Sequence, residues 1–167
     1  MTKFKETETI ELKKSTSELK EAIISICSIL NRHGKGTIYF GVEDDGKVVG
    51  QQIGKSTVRD ISKSIGDHLE PKIYPEIESK KISGKNCIVV SFAGQNALYS
   101  AYGRYYLRMG EEDKKLSVDE LRRLVEKKNN YVYSWGSEIS EFSISAVNGF
   151  SLVVVRCSSS MSINLLK

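Results

Sequence analysis

Between Thr9 and Lys13 apolar and polar residues alternate, with Ile10 and Leu12 on one face and Thr9, Glu11 and Lys13 on the other, the period of a half-buried strand. On that reading Glu11 faces away from the core. The period then changes. "STSELKEAIISICSILNRHG" opens on Ser and Thr caps, repeats apolar residues at Leu19, Ala22, Ile23, Ile26, Cys27 and Leu30, and stops at Gly34. This predicts a helix of about 16 residues. "GTIYFGV" is β-branched and aromatic, "EDDG" carries Asp-Gly turn chemistry, and "KVVG" reads as the returning arm of a hairpin. A second helix is predicted over 57–69, ended by Pro71, and strands follow at "EIESKKI" and "NCIVVSF", joined by the turn "SGKN". "RYYLRM" predicts a further strand and "SVDELRRLVEKK" a helix capped by Ser117. The order gives an α+β class, a mixed or antiparallel sheet with hairpins packed against two to three helices.

Composition adds a boundary. Residues 131–167 hold ten serines and only four charged residues, Glu138, Glu141, Arg156 and Lys167. A domain over 1–130 is therefore expected, followed by a Ser-rich segment, 131–167, that reads as a strand pair, a disordered end or a piece foreign to the domain. The net charge of +4 belongs entirely to the first part, with 23 basic and 19 acidic residues before the break. That excess permits an anionic partner without demanding one. Cys27, Cys87 and Cys157 are far apart and form no CxxC or Cys/His cluster, so neither a zinc site nor a disulfide framework is indicated. With no signal-like or membrane-spanning apolar run, a cytoplasmic protein with no membrane partner is expected.

Three stretches bear on chemistry. "GQQIGKST" resembles a phosphate-binding loop in context, but Gly50 and Gly54 enclose three residues where four are needed to wrap the phosphates. A turn with Ser56 as helix cap and Lys55 in solvent is the reading kept. Glu6, Glu8 and Glu11 near the first strand, with Glu43, Asp44 and Asp45 at the turn, offer carboxylates of the kind that hold Mg²⁺ or Mn²⁺ and activate water against a phosphodiester. Positions five apart lie on opposite faces of a strand, so Glu6 and Glu11 meet only if Glu6 precedes the strand or lies beyond a bend. A solvated strand start plus a turn chosen for its own chemistry explains the same acids. The third stretch, "YGRYYLR" with Lys114, Lys115, Arg122 and Arg123 after it, combines cations for phosphates with aromatic faces for bases. His33 and His68 have no nucleophile motif beside them.

In order, "ETIELKK", "NRHGKGTIYFGVEDDGKVVG", "PKIYPEI", "GKNCIVVSF", "GRYYLRMG" and "SVDELRRL" resemble the Schlafen-type AlbA-like domain over about residues 6–127. The resemblance implies nucleic-acid binding, and it implies one of two activities. The first is a metal-dependent endoribonuclease that cuts structured RNA such as tRNA or rRNA, with Glu6, Glu11 and Asp44 as catalytic acids around Mg²⁺ or Mn²⁺. The second is a non-catalytic module, binding DNA or RNA, of a transcription regulator. Lys13, Tyr102, Arg104, Tyr105 and Arg108 are the expected nucleic-acid contacts. Leu12 stands where an aromatic is usual, "NRHGKG" carries an extra residue, and Glu43 replaces an aspartate, which leaves Asp45 as an alternative third ligand. Animal Schlafens carry two such domains forming an RNA cradle, so a homodimer is the expected way for a single domain to rebuild it.

Overall fold

The computed structural model describes residues 4–95, 97–133, 143–147 and 150–154, with side chains as far as residue 127. The chain divides into two compact units, Met1–Arg123 and Leu124–Lys167. In the first, β1 (Ile10–Lys13), α1 (Leu19–His33), β2 (Lys35–Phe40) and α2 (Thr57–His68) are followed by six strands. These are β3 (Leu69–Glu70), β4 (Glu76–Ile82), β5 (Lys85–Ala93), β6 (Ser100–Ala101), β7 (Arg104–Met109) and β8 (Glu112–Lys115). The helix α3 (Val118–Tyr133) runs out of this unit into the second, where β9 (Ser143–Val147) and β10 (Phe150–Val154) pair antiparallel.

The first unit contains two four-stranded sheets, ordered β1-β2-β5-β4 and β3-β6-β7-β8. Among the described strands only β1 and β2 run parallel, joined by α1 as the crossover, and every other pairing is antiparallel. Ser15 opens the helical segment by accepting from Ser17 N at 3.2 Å, and Gly34 closes it in the left-handed region at φ 77°, where glycine pays no Cβ penalty. Nine residues of α1 are buried, including Ser25, Ser28 and Asn31. Polar residues inside a helix that is buried nearly all round need partners, and the second sheet provides them. Asn31 Nδ2 donates to the carbonyls of Tyr99 and Tyr106, both at 2.8 Å, while its Oδ1 accepts from Tyr99 N at 2.7 Å. The main core joins α1 and α2 to Ile38, Phe40, Ile88, Val90 and Phe92 of the first sheet, to Ala101 of the second and to Tyr99 just before it. A smaller cluster of Leu12, Val42 and Cys87 lies on the opposite face of the first sheet, partly covered by Phe4.

Two expectations change here. The register sets Glu11 beside Ile38, and Ile10 and Leu12 beside Thr37 and Tyr39. Neighbours in register share a face, so Glu11 points to the side of the main core and Leu12 to the smaller cluster. Glu11 is buried, contrary to its expected outward orientation. The hairpin's returning arm is also not a strand. Val42 and Val48 make one bridge, and β2 uses its edges on β1 and β5 instead. Gly41 and Gly50, at φ 98° and 72°, bend the arms together, with Val49 N and Gly50 N both donating to the Gly41 carbonyl.

Candidate nucleic-acid interface and the buried acid beside it

At the start of β1 the chain doubles back, with Thr7 N donating to the Ile10 carbonyl at 3.0 Å. Glu6 therefore lies beyond a bend, the condition under which it can approach Glu11, and its Oε1 accepts from Leu12 N at 3.2 Å. Burial pushes the Glu6 carboxyl above its ordinary value, the charge of Glu11 adds to the rise, and Asp44 contributes further; the Leu12 amide and Lys13 oppose it. Glu11 and, more weakly, Asp44 thus act electrostatically on Glu6.

Glu11 is already occupied. Its Oε1 accepts from Lys13 Nζ at 2.5 Å, and its Oε2 accepts from Arg108 Nη2 at 2.6 Å. Arg108 is 2% exposed, and its Nη1 donates to Asp113 Oδ1 at 2.8 Å. Asp113 also accepts from Ser25 Oγ at 2.5 Å and from Ser28 Oγ, while Arg108 Nη2 reaches the Thr7 carbonyl at 3.2 Å. Two acids and two cations balance inside a site bounded by β1, α1, β7 and β8. Burial alone would lower the guanidinium's pKa, but Asp113 and Glu11 outweigh it and hold the group above its usual range. Lys13 behaves alike, with burial opposed by the stronger effect of Glu11. Arg108 Nε is buried with no hydrogen-bond partner among the described residues, so the network depends on its two ion pairs.

This arrangement corrects two expected nucleic-acid contacts. Arg108 cannot reach a phosphate from inside the domain, and the Lys13 amine is engaged by Glu11. Tyr102 is also committed. It occupies the β6–β7 turn at φ 51°, its ring lies 4.4 Å from that of His68, and Lys20 Nζ stands 5.9 Å from its centroid. Arg104 is exposed and Tyr105 half-buried, and they remain at the surface beside β8. There Lys115 is exposed and Lys114 pairs with Glu120 at 2.6 Å.

The hairpin acids divide as well. Glu43 pairs with Lys14 at 3.1 Å, Asp45 accepts from Lys47 N at 2.8 Å, and Asp44 is exposed. Lys14, Glu18, Glu43, Asp44 and Asp45 line an open depression of about 510 Å³. Among the described residues no group of three His, Cys, Asp or Glu side chains is disposed to hold a metal ion. With both oxygens of Glu11 on cations, Glu6, Glu11 and Asp44 as they stand do not fit one. "GQQIGKST" folds as a turn into α2, with Gly54 N bonded to Thr57 Oγ1 at 2.9 Å and Lys55 exposed. Ser56 holds the cap position, but its side chain makes no cap bond.

Comparison with known proteins places this architecture. The Schlafen AlbA_2 family model matches residues 6–117. The chain belongs to the Schlafen AlbA_2 family. No curated protein matches it. Among solved structures, the DIP2311 protein from Corynebacterium diphtheriae is similar at 13% identity and a TM-score of 0.57, over 72% of this chain and 24% of that one. The chain therefore spans about a quarter of that protein's length, and the likeness concerns the fold. The N-terminal domain of a putative ATP-dependent DNA helicase RecG-related protein from Nitrosomonas europaea matches at 22% identity and a TM-score of 0.46, over 69% of this chain and 87% of that one. Glu6, Glu11, Asp44, Arg108 and Asp113 all fall inside the Schlafen AlbA_2 match. Among the described residues no helix is long and apolar enough to cross a membrane.

Proposed function

We propose that this Schlafen AlbA_2 domain is a nucleic-acid-binding module that takes structured RNA, tRNA or rRNA in class, in preference to DNA. The observation that carries the reading is the pair of exposed cations Arg104 of β7 and Lys115 of β8, which share one face of adjacent strands by register and stand outside the buried ion-pair network. Cations placed in this way neutralise phosphates. Family membership supports nucleic acid as the class of ligand. Fluorescence anisotropy with labelled tRNA and with duplex DNA of similar length tests it. Affinity should fall steeply as salt rises and should be higher for the RNA. Absence of binding to both at low salt would overturn the reading, and a preference for duplex DNA would move it to the DNA-binding alternative.

A second reading, an Mg²⁺- or Mn²⁺-dependent endoribonuclease built on Glu6, Glu11 and Asp44, has one observation in its favour. It is the bend that sets Glu6 beside β1, its Oε1 accepting from Leu12 N at 3.2 Å, where Glu11 and, least, Asp44 add to the rise in its pKa that burial chiefly causes; neighbouring carboxylates attract a cation. It requires Lys13 or Arg108 to release Glu11. RNA cleavage that EDTA abolishes, together with a Mn²⁺-induced rise in melting temperature lost in Glu6→Ala/Asp44→Ala, would establish it. Intact RNA and a melting temperature indifferent to Mn²⁺ would remove it.

A further inference from the structure

We propose that the outer edge of β4 pairs with the same strand of a second copy of this chain, antiparallel and two-fold symmetric about Ser79. β4 is an end strand of the first sheet, bonded to β5 on one side. Among the described residues no backbone hydrogen bond reaches its other edge. It is seven residues long, about 23 Å of ladder, with Ser79, Lys80 and Lys81 exposed. An edge of this length is a template for another strand unless its charges forbid the pairing.

Here the charges select a partner. The strand reads Glu76-Ile77-Glu78-Ser79-Lys80-Lys81-Ile82, acidic before its midpoint and basic after it. Laid antiparallel on itself about Ser79, it sets Glu78 opposite Lys80 of the second copy and Lys80 opposite Glu78. Positions two apart share a face, so both ion pairs form on the same side of the joined sheet, with no like charges opposed. Moving the axis to Glu78 or to Lys80 places two like charges face to face across it, which is destabilising. The two side chains already meet within one chain and are 43% and 56% exposed, so they are available to a neighbour.

The result is one continuous sheet of eight strands with its two edges at β1 and an isologous contact at its centre. This inference does not depend on the nucleic-acid reading.

Sedimentation velocity of the full chain, followed across a concentration series, tests it. The wild type should sediment as a species of twice the 18.7 kDa chain mass. Glu78→Lys and Lys80→Glu, each at an exposed position and each checked for an unchanged melt, should be monomeric alone, because each opposes like charges across both pairs. Mixed one to one they should recover the dimer, since a strand with two lysines then faces one with two glutamates. A wild type that stays monomeric throughout, single variants that dimerise like the wild type, or a mixture that remains monomeric would each overturn the proposal.

Discussion

Glu11 and Asp44, two acids that the sequence suggests as halves of one site, occupy opposite surroundings. Glu11 is 6% exposed and spends both oxygens on Lys13 and Arg108, whereas Asp44 is exposed on the rim of an open acidic depression. Taking an ionised carboxylate out of water costs several kcal/mol even after relaxation, so a buried acid exists only with its counter-ions. Glu11's come from two residues along its own strand and from Arg108, 97 residues away. Its first duty is thus to the fold, tying β1 to β7 across α1. Asp44 faces no such cost and is free to vary.

The largest break in this comparison should come from Arg108. Arg108→Ala strands Glu11 and Asp113 without their shared cation, and removing one partner of a buried pair costs about 3–5 kcal/mol, read as a fall in denaturant midpoint or a failure to fold. Glu11→Gln keeps a hydrogen-bonding side chain but discards the charge, and a loss of about 1–3 kcal/mol is expected. Asp44→Asn, by contrast, should stay within about 0.5 kcal/mol of wild type. Equal effects of Glu11→Gln and Asp44→Asn would erase the distinction.

Acid titration sharpens the contrast by smaller amounts. Glu6 has a raised pKa when folded, chiefly through burial and then Glu11. A raised carboxyl binds its proton more tightly in the folded state, so its contribution to stability is full below the unfolded value, near 4.5, and is lost as pH rises through the folded value. Glu120 behaves in the opposite sense. Its pairing with Lys114, then its bonds to the Ser117 amide and hydroxyl, lower it to about 2, so its contribution is present above 4.5 and is lost as pH falls towards 2. Replacing Glu6 by Gln should flatten the rise in stability as pH falls from neutrality towards 4.5, and replacing Glu120 by Gln should flatten the decline below it. Melting curves across pH for the two variants check both signs.

Much of the first unit is readable from pattern. The expected helix over 57–69 is α2, and "EIESKKI" is β4 residue for residue. Ser117 caps α3 through a reciprocal capping box, Glu120 N to Ser117 Oγ at 3.3 Å and Ser117 N to Glu120 Oε2 at 2.9 Å. The second sheet is harder to see because β3 and β6 have two residues each, too few to show a period. Alternation in β1 is real but its faces are exchanged relative to expectation, since both sides of the sheet are covered and the apolar pair serves the smaller cluster. Arg108 sits in a stretch whose composition suits an RNA surface, and nothing local distinguishes it from Arg104. The informative signal lies elsewhere, in Ser25 and Ser28 interrupting the apolar pattern of α1 one turn apart, which marks a polar partner behind the helix. Within 131–167, which composition leaves open, β9 and β10 flank an Asn-Gly pair, a hairpin signal that the serine content obscures.

On the proposed function, the exposed cations of β7 and β8 bind nucleic acid and the buried Arg108 does not. The salt dependence of tRNA affinity tests it most directly, measured for the wild type and for Arg104→Ala/Lys115→Ala. The variant should bind more weakly, with a log–log salt slope shallower by about 1–2, near one for each phosphate no longer neutralised, and an unchanged melting temperature. Wild-type affinity and slope in a folded variant would contradict it.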